Sequence, residues 1–103
     1  MPQTYLPIKY NVLITGNGTS ATTNITTATV LKAVPGRVAR VSVLVVGSTV
    51  GSINDCVTTG AAAATNSLFV VPMTLGSYTV DMPCSRGVTV VPGTGQTLAV
   101  SWS

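Results

Sequence analysis

Histidine and glutamate are both missing from this chain of 103 residues, and its only side-chain carboxylates are those of Asp55 and Asp81. General acid–base catalysis depends mainly on His, Glu, Asp, Lys, Tyr or Cys side chains with suitable pKa values. A Ser or Cys nucleophile needs a base beside it, and zinc or calcium sites need clustered imidazoles, thiolates or carboxylates. The sequence therefore predicts a protein that is not an enzyme and that binds no metal or other cofactor.

Charge of either sign is also scarce. Charged residues make up 7% of the chain, against about 25% in ordinary soluble domains. A surface of Thr, Ser, Asn and Gly with so few ions favours association, so we expect copies of the chain or a partner to cover part of it. The net charge of +3 comes from five cations spread along the sequence. Nucleic-acid binding requires a denser basic face, so we expect no direct nucleic-acid contact.

Long hydrophobic runs are absent. Residues 43–46 and 61–64 are among the longest, and both are far too short to cross a bilayer. Residues 1–10 lack the pattern of a secretory signal, so we expect synthesis in a cytosol and no membrane association. In such a chain Cys56 and Cys84 are expected to be buried, reduced thiols, with a disulfide as the less favoured alternative.

The sequence is instead rich in short alternating apolar and polar segments, separated by Gly- and Pro-containing turns about every ten residues. Residues 6–14 show this alternation first. This pattern, without any amphipathic helix, predicts an all-β fold: a single small β-sandwich or jelly-roll-like domain of about eight short antiparallel strands. Residues 60–66 have helical propensity but are too short for a stable helix, so they are interpreted as a loop with at most one helical turn.

The most strongly alternating segment comprises residues 37–46. Its β-branched residues favour a strand over a helix. One face is expected to lie in the core, and on the other Leu44 and Val46 are candidates for contact with a neighbouring chain or a loop. The residues of the predicted core face are Ala39, Val41, Val43 and Val45.

Two further predictions concern the last third of the chain. The strand that contains Tyr78 is expected to stop at Pro83, because proline donates no ladder hydrogen bond. Residues 87–91 and 97–103, joined by the Gly-rich residues 92–96, are predicted to form a β-hairpin.

Residues 1–27 are expected to form an N-terminal arm and first strand that can dock on a partner, and residues 28–103 the β-sandwich domain. Arg37 and Arg40 lie three positions apart, which places them on opposite faces of a regular strand. Exposure arguments alone select the candidate partner-interface residues, which are Tyr5, Pro7, Lys9, Arg37 and Arg40.

The remaining chemically distinctive residues are expected to have structural roles. Without other titrating groups nearby, Asp55 and Asp81 are expected to cap a turn or pair with an arginine rather than form a catalytic carboxylate pair. Tyr78 and Trp102 lie on the apolar faces of their strands and are expected to pack in the core.

Three runs of the sequence, residues 35–43, 78–88 and 91–103, resemble those of small virion proteins of tailed bacteriophages. These proteins are described as head-decoration, cement or head-fibre proteins, and the resemblance covers roughly residues 29–103. It implies a jelly-roll or related β-sandwich that works without cofactors. It also implies a homotrimer that sits on the major capsid protein lattice, at the outer capsid surface of the virion, after synthesis in the host bacterial cytoplasm.

Two other functions fit the sequence. A tail or fibre component, or an adaptor of the phage particle, shares the same bias toward Thr, Gly and Val. A carbohydrate-binding module is the third alternative, and it would need an exposed aromatic platform from the few aromatic residues of the chain.

Overall fold

Eight strands follow one another along residues 18–103, the part of the chain that the computed structural model describes. The predicted strand at residues 6–14 lies outside this part. The eight strands form two four-stranded sheets, sheet A in the order β1-β8-β3-β6 and sheet B in the order β2-β7-β4-β5. The strands are β1 (Ser20–Ile25), β2 (Thr29–Lys32), β3 (Gly36–Val45), β4 (Gly51–Asn54), β5 (Ser67–Val71), β6 (Gly76–Cys84), β7 (Val88–Val91) and β8 (Thr97–Trp102).

The strand pairing has the topology of a jelly roll. β1 pairs with β8, β2 with β7, β3 with β6 and β4 with β5, all antiparallel. Such nested pairs describe one long hairpin that is wrapped so that its successive pairs alternate between two sheets. The additional pairs β3–β8 and β4–β7 complete the two sheets. The predicted all-β sandwich of eight antiparallel strands is confirmed, with the double-sheet arrangement of jelly rolls.

The predicted C-terminal β-hairpin is wrong. β7 lies in sheet B and β8 in sheet A, so residues 92–96 cross between the sheets instead of joining paired neighbours. The Gly-rich segment does turn, with the Gln96 N–H bonded to the Gly93 carbonyl oxygen at 3.0 Å. A tight turn is compatible with both connections, and in the structure β8 pairs with β1 and β3 rather than with β7.

The core lies between the two sheets and consists of Val, Ile, Leu and Cys side chains. Val41 and Val43 are in it as predicted. The predicted core residue Val45 is 51% exposed, because a register shift against β8 between Val43 and Val45 interrupts the alternation. Val38 and Ala39 are both buried, since a register shift at this point of β3 interrupts the alternation. The buried core cluster comprises Ile25, Val38, Val41, Val43, Ile53, Val71, Cys84, Val88, Val90, Leu98 and Val100.

Edge strands accommodate two departures from the sequence pattern. β6 continues through Pro83 to Cys84 rather than stopping at Pro83, because an edge strand can place a proline where no partner needs its N–H. The expected boundary between residues 27 and 28 falls between β1 and β2. β1 pairs with β8 and is therefore an edge strand of sheet A.

Residues 55–66 form the longest loop and pass over the outer side of β7. The expected loop is confirmed, but it contains two short 3-10 turns, Thr59–Ala61 and Ala64–Asn66, where the sequence predicted one helical turn at most. Thr89 is fully buried beneath it and its hydroxyl donates to the Cys56 carbonyl oxygen at 2.9 Å. Within residues 18–103 no helix is long and apolar enough to span a membrane.

Replacing Gly93 by alanine is expected to destabilise the fold by about 2 kcal/mol, because a Cβ there would overlap the backbone oxygen of Thr49. The matched control is Gly60→Ala, where a Cβ would meet nothing within 4 Å. We expect the control to change stability by less than about 0.5 kcal/mol. Urea unfolding of both variants measures the difference, and equal midpoints would show that the close approach at residue 93 does not exist.

Candidate functional site

Antiparallel strands place alternate loops at opposite ends of the sandwich. The loops that follow β1, β3, β5 and β7 lie at one end, and those that follow β2, β4 and β6 lie at the other. We name these ends by the side chains that they display. The apolar end comprises residues 44–50, 72–75 and 92–96, and the charged end comprises residues 32–37, 55–66 and 81–87.

The apolar end exposes large hydrophobic side chains and carries no charged residue. Nine large hydrophobic side chains are exposed within residues 18–103, and six of them lie at the apolar end. The three that lie elsewhere are Val34, Val57 and Val70. Scattered exposed hydrophobic residues are normal on soluble proteins, whereas a cluster of them marks an interaction surface. The six clustered side chains are Leu44, Val45, Val46, Val50, Met73 and Leu75.

Hydrogen bonds hold the loops of the apolar end in fixed positions. The Ser48 N–H donates to the Thr94 carbonyl oxygen at 2.9 Å, and the Thr94 N–H donates to the Thr49 hydroxyl at 2.8 Å. The buried Gln96 amide accepts from the Gly93 N–H and donates to the Pro72 carbonyl oxygen, which ties a third loop to this end. The exposed hydrophobic side chains therefore project from a rigid frame, as a preformed contact surface requires.

At the charged end, the Asp55 carboxylate organises the turn between β6 and β7. It accepts from the N–H groups of Ser85, Arg86 and Gly87 and from the Ser85 hydroxyl, at 2.8 to 3.3 Å. Burial opposes its ionisation, but these hydrogen bonds outweigh burial and lower the Asp55 pKa from 3.8 to about 2. The prediction that this aspartate caps a turn is confirmed.

Asp81 forms an ion pair with Arg37, as the expected pairing with an arginine requires. The Arg37 Nη1 and Asp81 Oδ1 atoms are 2.5 Å apart, with the two side chains 22% and 67% exposed. Asp81 has a φ of 49° at a bulge of β6, where the register against β3 shifts. Its backbone is therefore left-handed at an edge strand, a conformation that aspartate tolerates better than most residues.

Five of the six charged residues within residues 18–103 lie at the charged end, and the sixth, Arg40, lies on the outer face of sheet A. Val38 and Val41 face the core, so Arg37 and Arg40 both face outward. The placement of these two arginines on opposite faces is therefore wrong, because the sequence pattern did not reveal the bulge at Ala39. Arg40 lines a shallow cleft of about 190 Å³ with small residues of all four strands of the sheet.

The two cysteines are buried free thiols, as expected. Burial, followed by the nearby charges of Asp55 and Cys56, raises the pKa of the Cys84 thiol from 9.0 to about 11. Cys84 is therefore protonated at neutral pH and packs as a small hydrophobic residue. Residues 18–103 contain no group of three or more His, Cys, Asp or Glu residues that could hold a metal ion.

The aromatic side chains of the described part pack against the core, so the prediction for Tyr78 and Trp102 is confirmed. The Tyr78 hydroxyl donates to the Thr74 carbonyl oxygen at 2.8 Å, and the Trp102 ring N–H donates to the Thr22 hydroxyl at 3.3 Å. Phe69 is also packed against the core cluster. None of the three forms an exposed platform.

The predicted interface residues fall into two groups. Tyr5, Pro7 and Lys9 lie outside the described residues. Arg37 and Arg40 lie on one sheet face, where Arg37 is paired and Arg40 lines the cleft.

Sequence reasoning missed the apolar end as a unit. The available signal was the absence of charge from residues 41–54, 56–80 and 87–103. No protein-family model, curated protein or solved structure matches the chain.

Proposed function

We propose that this chain is a structural virion protein of a tailed bacteriophage, which decorates the capsid shell and stabilises it. The observation that carries the proposal is the separation of an apolar, uncharged end from a charged end on one small jelly roll. A chain with so little charge needs its exposed hydrophobic cluster covered. Jelly rolls are common among viral capsid domains. The resemblance of residues 29–103 to decoration proteins also supports a role on the capsid.

In this proposal the apolar end joins three copies of the chain. Around a threefold axis each copy presents its contact surfaces to its neighbours, so surfaces of one charge sign repel. The apolar end has no charge and avoids this repulsion. The charged end carries three cations against the carboxylates of Asp55 and Asp81, so every copy would bring a net positive charge to the contact. The rigid loops of the apolar end further reduce the entropy that association costs.

The trimer in turn strengthens attachment to the shell. Three linked copies bind a symmetric lattice more tightly than one, because the second and third contacts form at high effective concentration. A modest contact per copy is therefore enough, and no cofactor or nucleic acid takes part. The major capsid protein lattice is the proposed partner.

Two measurements test the proposal. In a reconstruction of the particle that carries this chain, we expect its density in many copies, in register with the outer capsid lattice. A small ring of copies at the tail would contradict capsid decoration and favour the tail or adaptor alternative. Light scattering of the purified protein is expected to give three times the 10.4 kDa mass of the chain.

The carbohydrate-binding alternative has less support. Sugar-binding modules that use aromatic platforms need exposed rings, and the rings of Phe69, Tyr78 and Trp102 are packed against the core. Binding of the purified protein to a bacterial glycan array would favour the carbohydrate-binding alternative over capsid decoration.

A further inference from the structure

The shallow cleft on the outer face of sheet A is built almost entirely from small side chains. Its position follows from the strand register, which pairs Ala21 with Ser101, Ser101 with Arg40, and Ser42 with both Ala99 and Ser77. Because all four strands contribute, the floor of the cleft is a regular sheet rather than a loop. The residues that matter here are Ala21, Arg40, Ser42, Ser77, Ala99 and Ser101.

Among the described residues that line this cleft, Arg40 alone is charged. Within residues 18–103, the other two arginines have side-chain partners, since Arg37 pairs with Asp81 and Arg86 donates to Asn66. Arg40 is exposed and has neither an ion pair nor a side-chain hydrogen bond to the described residues. Its guanidinium therefore retains a full set of donors in the fork geometry that suits a carboxylate.

A second observation comes from Ser101, which is paired with Arg40 across β8 and β3. Its Oγ atom is the one buried side-chain nitrogen or oxygen within residues 18–103 that has no hydrogen-bond partner. Buried polar atoms are almost always satisfied, so an orphaned hydroxyl that lines a cleft points to a group that enters the cleft. A hydroxyl can donate to an anion, in keeping with the charge of the neighbouring arginine.

The size of the cleft limits what can enter it. Pockets for drug-sized ligands usually have volumes of about 300 Å³ or more, and this cleft has about 190 Å³. The small side chains leave space for one short acidic side chain over the face of the sheet. An exposed sheet face of this kind can also approach a flat protein surface closely.

We propose that this cleft binds a single carboxylate, the side chain of an aspartate or glutamate on the protein partner. Arg40 supplies paired N–H donors to the carboxylate, and the Ser101 hydroxyl donates a further hydrogen bond. The assignment of the acidic residue to the capsid rests on the proposed function, whereas the carboxylate site itself rests only on the cleft.

The experiment is an NMR titration of the ¹⁵N-labelled full chain with the blocked peptide acetyl-Gly-Glu-Gly-amide. We expect saturable shifts of the Ser42, Ser77, Ala99 and Ser101 amide signals with millimolar affinity, because one solvent-accessible ion pair contributes little. The matched peptide with Gln in place of Glu should leave these signals unchanged. Inorganic phosphate is the third probe and should bind no better than the Glu peptide.

Variants of the chain show whether the named groups are responsible. Arg40→Gln should abolish the shifts, and Arg40→Lys should weaken binding because the fork geometry is lost. Ser101→Ala should weaken it about tenfold, the loss expected for one hydrogen bond to a charged group. Arg86→Gln is the matched control at another exposed arginine and should leave the titration unchanged. A dispersed spectrum of each variant confirms that it is folded.

Several results would overturn the carboxylate site. Equal shifts with the Glu and Gln peptides would do so, as would tighter binding of phosphate or an unaltered titration of Arg40→Gln. Failure of the site and failure of the proposed function are distinguishable. A positive titration, with the chain located away from the capsid lattice, would support the carboxylate site and exclude the capsid as its partner. A negative titration, with the chain located on the capsid lattice, would exclude the carboxylate site and leave the proposed function standing.

Discussion

The double variant Val46→Asp with Leu75→Asp is expected to be a folded monomer under conditions in which the unchanged chain is a trimer. Both side chains are exposed at the apolar end, Leu75 to 61%, so neither substitution removes a core contact. Aspartates from three copies would meet at the proposed contact, where they lose solvation and repel one another. A penalty of about 4 kcal/mol corresponds to association that is weaker by about 1,000-fold.

The matched control for this variant is Val34→Asp at the charged end. Val34 is 56% exposed, so the chemical change and the exposure are similar and only the location differs. We expect the control to keep the mass of the unchanged chain in light scattering across a dilution series. A double variant that still associates like the unchanged chain would show that the apolar end is not the contact between copies, and a monomeric unchanged chain would contradict the trimer itself.

The strands themselves could be predicted from the sequence, because alternation and turn residues are local signals. Residues 37–46 were predicted as a strand and β3 occupies Gly36–Val45. The partner of each strand could not be predicted in the same way. Residues 92–96 turn as their glycines indicate, yet the choice between a hairpin and a crossing to the other sheet depends on β1 and β3, which are distant in sequence.

The bulges and the two ends of the sandwich could not be predicted either, because they also depend on pairing between distant strands. A bulge at Ala39 reverses the alternation of the side chains that follow it in β3, so Arg37 and Arg40 lie on the same face although strict alternation would separate them. A second register shift, between Val43 and Val45, interrupts the alternation again. Charged residues that are far apart in the sequence meet at the charged end of the sandwich. Lys32 ends β2, Asp55 follows β4 and Arg86 follows β6, and the loops after these three strands all lie at that end. Which loops meet at one end is a property of topology and has no local sequence signal.

Asp55→Asn is expected to reduce the free energy of unfolding by about 2 kcal/mol at pH 7. The ionised carboxylate accepts hydrogen bonds from three consecutive N–H groups of residues 85–87, and an amide oxygen is a weaker and single acceptor. Urea unfolding at several pH values measures the loss. Asp81→Asn is the matched control, and because its ion pair with Arg37 is exposed we expect a change below about 1 kcal/mol.

The pH dependence of this loss identifies its cause. The Asp55 pKa is about 2 in the folded protein against 3.8 ordinarily, so ionised Asp55 stabilises the fold above about pH 4. That stabilisation falls as the pH drops from about 4 through 2, while Asp55→Asn, which has nothing to protonate at this position, lacks it throughout. The stability gap between the two proteins should therefore close with acidification. Because the chain contains no His or Glu and Asp81 is its only other side-chain carboxylate, a gap that stays constant down to pH 2 would mean that the ionised form of Asp55 is not what stabilises the turn.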